Sequence, residues 1–172
     1  MAQQSLKTCF KQVDIAMPEY LLPELVYRCS RLVWKTNEKL LWRVLRFLLF
    51  TVRSWFFDVK YLSVSMEKLQ EVLDEYAKWL EETGLEYTSD YWDCDDYSIS
   101  FKSFFTSKAK ANSVGIALGM VCKDGKPLGG HAWNIALLDN GNLVFIEPQT
   151  REIMDGNISS DGYVYELQAV IW

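Results

Sequence analysis

The spacing of apolar positions along the chain changes at Ser113. Before Ser113, apolar residues recur every three or four positions, which is the period of an amphipathic helix. After it, short apolar runs are separated by turn sequences such as KDGKP and DNGN, which is typical of strands joined in hairpins. Helices followed by antiparallel strands predict an α+β fold, in which a helix packs on a sheet.

The clearest predicted helix begins after Ser65 and ends at Gly84. A serine hydroxyl commonly caps a helix N-terminus, and a glycine readily takes the left-handed backbone that ends a helix. A second amphipathic helix follows a polar, aromatic loop, and Cys94 lies in its first turn. Two earlier segments, 24–34 and 38–57, also have helical composition.

The formal charge of the chain, −5, hides an uneven distribution. Residues 1–63 contain ten Lys and Arg against five Asp and Glu, whereas residues 64–172 contain eight against eighteen. We therefore predict a helical N-terminal extension over 1–63 and a main, catalytic domain over 64–172. The acidic balance argues against nucleic acid as a partner, because phosphate binding usually requires a basic surface.

The segment 38–57, with Asn37 as a suitable cap, allows two interpretations. Arg43, Arg46 and Arg53 share one side and leave a wide apolar surface, which fits a helix that lies on a membrane. The alternative is a core helix whose arginines line its one wet edge. We favour this alternative, because most globular helices of this composition are packed. The arginines also interrupt the apolar run, so no bilayer-spanning segment is predicted.

The start of the chain, MAQQSLKTCFKQ, lacks the basic and apolar segments of a secretory signal, so a cytoplasmic location is the default expectation. The four cysteines, Cys9, Cys29, Cys94 and Cys122, are widely spaced without a CxxC pair. This spacing fits neither a zinc site nor a dense disulfide framework. We therefore expect free thiols.

Cys94 is the first candidate for a catalytic residue. A thiol is a nucleophile only as its thiolate, and the first turn of a helix lowers a thiol pKa. The reason is that unpaired backbone N–H groups and the helix dipole favour negative charge there. The alternative is a cysteine that only fills space behind an aspartate N-cap.

His131 is the single histidine of the chain, and it follows Gly129 and Gly130 at the start of a predicted strand. Any mechanism that pairs a cysteine with a histidine must therefore use it, although a lone histidine is more often structural. Glu147 is a carboxylate within the apolar run VFIEP, and orienting an imidazole would explain its presence there.

The turn sequence DNGN decides whether Glu147 and His131 share a face of the sheet. A three-residue loop with Gly141 in the left-handed conformation pairs Glu147 with Trp133 and puts it diagonally beside His131. A two- or four-residue loop puts Glu147 on the opposite face. In that case Glu147 would be an edge-strand carboxylate without a role in the site.

The blocks DCDDYSISF, GHAWNIALL and VFIEPQT resemble the nucleophile, histidine and third-residue blocks of papain-like and transglutaminase-like thiol enzymes. More narrowly, the run is similar to the calcium-dependent protease domain at the C-terminus of a fungal mushroom agglutinin. The resemblance covers residues 65–172 and implies a papain-like core with a catalytic triad of Cys94, His131 and Glu147. It does not include the family's sugar-binding domain, so it implies no lectin activity.

The resemblance also implies calcium beside the active site, at Asp95 and Asp96. A separate reason is that residues 64–98 hold eleven acidic and two basic side chains. Such a field raises a thiol pKa unless a cation offsets it, and calcium prefers the carboxylate and carbonyl oxygens available here. Against calcium, the chain contains no EF-hand loop, and acidic helix faces are usually only solvated.

These features predict a cysteine peptidase, in which His131 deprotonates Cys94, Glu147 orients the imidazole, and the substrate is a protein or peptide. Trp92 and Trp133 flank the centre and would wall a substrate cleft, although aromatics at such positions are more often core. An amine acceptor would make the chain a transglutaminase-type acyl transferase instead. The non-enzymatic alternative is a protein-binding or inhibitory module on the same fold, with the N-terminal helices as its contact surface.

Overall fold

The computed structural model describes residues 17–34 and 39–172. Within these ranges the chain forms four helices and seven strands. The helices are α1 (Leu22–Trp34), α2 (Leu40–Arg53), α3 (Met66–Thr83) and α4 (Cys94–Ala109). The strands are β1 (Glu19–Leu21), β2 (Lys60–Leu62), β3 (Val114–Lys123), β4 (Lys126–Leu137), β5 (Leu143–Glu147), β6 (Glu152–Met154) and β7 (Val164–Ile171). The predicted α+β class is confirmed.

Five strands form one antiparallel sheet in the order β6-β5-β4-β3-β7. Strands β3, β4 and β5 are joined at the predicted KDGKP and DNGN turns. Strands β1 and β2 pair separately from this sheet. The sequence did not predict β1, β2 or β6, because a strand of three residues carries too short an alternation to recognise.

Helix α3 begins and ends, and helix α4 begins, as the sequence predicts. The Ser65 hydroxyl accepts a hydrogen bond from the Lys68 N–H at 3.2 Å, and Gly84 closes α3 with a φ of 66°. Asp93 caps α4 and forms a reciprocal capping box with Asp96. Both capping arrangements satisfy backbone N–H groups that the helix itself leaves unpaired.

Helices cover both faces of the sheet, as the side chains of strand β4 show. Successive side chains of a strand point to opposite faces. Ile135 and Leu137 belong to the buried cluster that includes α1 and α2, whereas Ala136 belongs to the cluster that includes α3 and α4. A strand buried on both faces is apolar at nearly every position, as the run AWNIALL is.

The predicted boundary between residues 63 and 64 does not separate two cores. Cys29 of α1 and Phe50 of α2 lie in the same buried cluster as Trp133 and Trp172 of the main domain. The N-terminal helices, which the sequence predicted as an extension, are therefore one layer of the fold.

The favoured interpretation of α2, a core helix with its arginines in water, is wrong. Phe50 is the one buried residue of α2. The Arg46 guanidinium lies 3.5 Å from Glu166 of β7, and Nε of Arg43 is buried, so these two arginines face the protein, whereas Arg53 is exposed. No helix within the described ranges is long and apolar enough to cross a membrane. The predicted cap Asn37 and the predicted free thiol of Cys9 lie outside the described residues.

Candidate functional site

The hairpin of β4 and β5 brings His131 and Glu147 onto one face of the sheet. Its loop has three residues, and Gly141 takes a left-handed φ of 79°. Asn134 pairs with Ile146. The next position in this register places Glu147 opposite Trp133. Glu147 therefore lies diagonally beside His131, on the same face of the sheet. The predicted register is confirmed, and with it the contact between the carboxylate and the imidazole.

Glu147 is almost fully buried, with 4% of its surface exposed, and three groups hold its carboxylate. Nε2 of His131 lies 2.6 Å from Oε2, and the Tyr165 hydroxyl donates to the same oxygen at 3.2 Å. The Gln149 backbone N–H donates to Oε1 at 3.3 Å. A buried carboxylate needs such partners to replace its lost hydration. Burial, and then the charge of Glu147, raises the pKa of the Tyr165 phenol, so this hydroxyl stays a donor.

Two clefts meet at His131. The first, which we call the thiol cleft, encloses about 520 Å³ between the start of α4 and the sheet, and Cys94 and Asp95 lie in its wall. The second, the polar cleft, encloses about 340 Å³ and also contains His131 in its wall. Other residues of the polar cleft are Glu147, Gln149, Glu152, Ser159, Asp161 and Tyr163.

Trp133 supports the imidazole and does not wall a cleft. Its side chain is 0% exposed, and its indole stacks with the His131 ring at a centroid separation of 6.2 Å. Gly119 of the neighbouring strand makes room, because a Cβ at that position would lie 2.8 Å from the indole. The structure contradicts the predicted substrate contact of Trp133, since a fully buried ring cannot touch a ligand. Trp92 is half-buried against Tyr97 and lines neither of the two clefts.

Cys94 begins α4, as predicted, and its thiol is half-buried. Burial raises the pKa of the Cys94 thiol, the Ala132 N–H lowers it in part, and the carboxylates of Asp93 and Asp95 raise it further. The two carboxylates therefore oppose the effect expected from the helix N-terminus. Among the described residues, no hydrogen bond joins the sulfur to His131. Burial and the two carboxylates therefore disfavour the thiolate form of Cys94.

The carboxylates of Asp93 and Asp95 lie with the Cys94 sulfur in one group, whose atoms are within 4.8 Å of one another. Asp96, predicted as a calcium ligand beside Asp95, accepts a hydrogen bond from the Asp93 N–H at 3.3 Å through one carboxylate oxygen. A side-chain hydrogen bond with Asp93 raises the pKa of Asp95. Two carboxylates and a soft thiol fit calcium poorly, because this ion takes about six to eight oxygen ligands. Calcium at Asp95 and Asp96 stays a prediction.

The polar cleft contains candidate residues that the sequence did not single out. Nε2 of Gln149 is buried and has no hydrogen-bond partner among the described residues. Gln149 lies two positions after Glu147 in the block VFIEPQT, so that block contained a usable signal. Tyr165 reaches Glu147 only because β7 pairs with β3. No local pattern indicates that pairing.

Solved structures of similar fold align with most of the chain. One, the "PSL1a-E64 complex", has a TM-score of 0.61 at 17% identity, over 90% of this chain and 51% of the other. Another is the lectin of Polyporus squamosus bound to the human-type influenza-binding epitope Neu5Acα2-6Galβ1-4GlcNAc, with a TM-score of 0.57 at 16% identity, over 90% and 49%. The chain spans about half the length of each protein, and at these identities the likeness shows the fold alone. No curated protein matches the chain.

A family model described as Agglutinin C-terminal matches residues 61–153, which is more than half of the chain. This match overturns the predictions of a cysteine peptidase and of an acyl transferase, because it relates the chain to agglutinins. The raised pKa of the Cys94 thiol agrees with this correction. Of the sequence resemblance, the agglutinin relationship is confirmed, and the protease part is without support. The chain belongs to the Agglutinin C-terminal family.

Proposed function

We propose that the chain is a non-enzymatic binding module and that its ligand is a neutral glycan held in the polar cleft. The observation that carries this proposal is the side-chain amide of Gln149. Gln149 as a whole is half-buried and lies in the wall of the cleft. Its Nε2 points inward without a hydrogen-bond partner among the described residues, so a turn of the amide toward the cleft is needed to reach a ligand. A buried donor without a partner costs about 1–3 kcal/mol, which an acceptor atom of a ligand would restore.

The polar cleft offers both kinds of hydrogen-bonding group that a sugar requires. Sugar hydroxyls, like those of serine, donate and accept. Gln149 supplies N–H donors, while the carboxylates of Glu152 and Asp161 supply acceptors. Tyr163 and Leu128 add apolar surface against which the C–H face of a sugar ring can pack. The cleft volume, about 340 Å³, lies within the usual range of about 300–1,000 Å³ for small-ligand sites.

The charge of the cleft selects among glycans. Glu147, Glu152 and Asp161 line it, and no lysine or arginine is present among the residues of its wall that the structure describes. An anionic sugar would meet like charges, which weakens binding. The Neu5Ac-containing epitope is the ligand bound to the lectin of Polyporus squamosus, not a ligand of this chain. We expect this chain to prefer glycans without a carboxylate.

Isothermal titration calorimetry with neutral and sialylated oligosaccharides, chosen from a glycan array, tests the proposal. Gln149→Ala should weaken the binding of a neutral glycan about tenfold, because a hydrogen bond of this kind contributes about 1.4 kcal/mol. Gln70→Ala is the matched control. Gln70 lies on α3 and bonds with Asp74 at 2.9 Å, so this variant should keep its affinity within about twofold.

Three outcomes would overturn the proposal. The first is a wild-type chain that binds no glycan, and the second is an equal loss of affinity in Gln149→Ala and Gln70→Ala. The third is a basic peptide that binds the acidic cleft in a Gln149-dependent way while glycans do not. That result would restore the protein-binding alternative. A preference for sialylated glycans would contradict the charge argument.

We also propose that the core has the papain-like arrangement, without the activity of those enzymes. Its support is the order of α4, β4 and β5, which carry Cys94, His131 and Glu147 respectively. A shared fold does not imply a shared reaction, because function depends on the groups placed in the site. Superposition on papain-like structures tests this point. A superposition in which α4 and β4 find no counterparts would contradict it.

A further inference from the structure

A recess of about 270 Å³ lies between α1, α2 and β7. Helix α2 contributes side chains at spacings of three and four residues, which puts them on one side of the helix: Trp42, Leu45, Leu49 and Arg53. Val33 of α1 and Leu167 of β7 also line the recess, and both are buried. Leu45 and Leu49, in contrast, are 43% and 40% exposed. The recess is therefore a slot with a buried inner wall and an open outer side.

The recess follows α2 from Trp42 to Arg53. These two residues are eleven positions apart, which corresponds to about 16 Å along the helix axis at a rise of about 1.5 Å per residue. Each carbon–carbon bond of an extended alkyl chain advances about 1.25 Å, so a chain of about twelve carbons covers most of this length. The shape of the recess thus suits one extended chain.

The lining is apolar along most of the recess and polar at the end formed by Arg53 and Gln168. The Arg46 guanidinium, which also lines the recess, lies 3.5 Å from the carboxylate of Glu166, so its charge is balanced within the protein. Arg53 is exposed and makes no ion pair with any residue that the structure describes. Its positive charge is therefore available to a ligand.

We propose that this recess binds a single-chain amphiphile with a carboxylate head, the chemistry of a free fatty acid. The carboxylate lies at Arg53, because a planar guanidinium matches a carboxylate with two parallel hydrogen bonds. The side-chain amide of Gln168 is a second donor at the same end. The alkyl chain extends past Leu49 and Leu45 toward Trp42, and it removes their exposed apolar surface from water.

Other occupants fit the recess less well. Its volume is below the range of about 300–1,000 Å³ that is usual for small-ligand sites, which favours one chain over a lipid with two. Helices that lie on membranes use basic residues to reach anionic headgroups, whereas Arg46 is engaged with Glu166 within the protein. A neutral glycan would leave the charge of Arg53 unused. The recess shares no residue with the polar cleft, so this proposal does not depend on glycan binding.

Isothermal titration calorimetry of the full chain with sodium dodecanoate, below its critical micelle concentration, tests the proposal. The wild type should bind one dodecanoate per chain. Arg53→Gln should weaken binding about tenfold, because hydrogen bonds to a charged group are stronger than those between neutral groups. Arg151→Gln is the matched control. It removes the same charge from an exposed arginine that pairs with Glu81, outside the recess, and should keep the affinity within about twofold.

A second set of measurements examines the alkyl chain. Hexanoate should bind far more weakly than dodecanoate, because less of its tail is removed from water. Dodecyltrimethylammonium has the same tail with a positive head and should not bind at Arg53. Leu45→Asp should weaken dodecanoate binding, whereas Ile99→Asp, at an exposed apolar position on α4, should leave it unchanged. Leu45, Arg53 and Ile99 are all exposed, and circular dichroism confirms that each variant is folded.

A wild-type chain that binds no dodecanoate would overturn the proposal. Equal losses in Arg53→Gln and Arg151→Gln would show that only the net charge matters, and would overturn it too. Dodecyltrimethylammonium that binds as tightly as dodecanoate would reduce the recess to a non-specific apolar surface. Phosphatidylserine vesicles that bind the wild type, and lose this binding in Leu45→Asp while free dodecanoate never binds, would assign the recess to a lipid surface instead.

Discussion

Glu147 holds the side chains of the site in place in the absence of a ligand. Its carboxylate holds the His131 imidazole from one side, while the indole of Trp133 stacks on the ring. Side chains that are already fixed lose little conformational freedom on binding, so less of the binding energy is spent in ordering them. The same contacts also stabilise the fold, because they satisfy a carboxylate that is shielded from water.

Glu147→Ala should lower the free energy of unfolding by about 3 kcal/mol, because it leaves the Tyr165 hydroxyl and other buried donors without an acceptor. Urea denaturation measures the change. Glu81→Ala is the control, since Glu81 makes an exposed ion pair with Arg151 that is worth about 0.5 kcal/mol or less. If both variants lose the same stability, the buried contacts of Glu147 contribute nothing.

The raised pKa of the Cys94 thiol predicts low reactivity. Iodoacetamide should alkylate Cys94 no faster than an ordinary thiol at neutral pH, because the thiolate fraction falls as the pKa rises. Asp95→Asn should accelerate the reaction, since it removes a charge that disfavours the thiolate. Mass spectrometry of the Cys94 peptide follows the rate, with the exposed Asp74→Asn of α3 as the control.

The proposed glycan binding in the polar cleft does not use the Cys94 thiol, because Cys94 lies in the wall of the thiol cleft. Cys94→Ser should therefore keep the affinity for a neutral glycan within about twofold, as most substitutions away from the binding contacts do. Rapid alkylation of Cys94 at acidic pH, or loss of binding in Cys94→Ser, would show that the thiol has a role that the geometry does not reveal.

At the scale of elements, the sequence predicted what depends on local patterns. The ends of α3, the start of α4 at Cys94 and the register of the DNGN hairpin all follow from capping and turn chemistry within a few residues. The orientation of α2 does not follow from such local patterns. A helical pattern shows that an apolar side exists, but tertiary packing decides whether that side faces the sheet or the solvent.

Helix α1 gives the fold a dependence on pH through Cys29. Burial raises the pKa of this thiol to about 12. An unfolded thiol has a pKa of about 8.5, so the native state keeps a proton that the unfolded state has lost. The stabilisation is complete below the unfolded pKa and is lost as the pH rises toward the folded one.

The difference in unfolding free energy between wild type and Cys29→Ala should therefore shrink by about 1.4 kcal/mol for each pH unit above about pH 9. Guanidinium denaturation of both proteins at several alkaline pH values measures this difference. The comparison cancels the tyrosines and lysines that titrate in both chains. A difference that stays constant with pH would contradict the burial of the Cys29 thiol.

At the scale of the whole molecule, the presence of Cys94, His131 and Glu147 was not enough to predict what the protein does. The sequence correctly predicted that Glu147 lies beside His131, since both belong to one hairpin. The environment of the site comes from elsewhere in the chain: Gly119 makes room for the buried indole, and Tyr165 reaches in from the last strand. Such long-range contacts leave no periodic signal in a single sequence.

Arg53, at the end of α2, lines both the thiol cleft and the recess of about 270 Å³ between α1, α2 and β7. Gln168 of β7 lines both as well. The two openings therefore share part of one wall, and a substitution that moves the end of α2 changes the shape of the thiol cleft together with that of the recess.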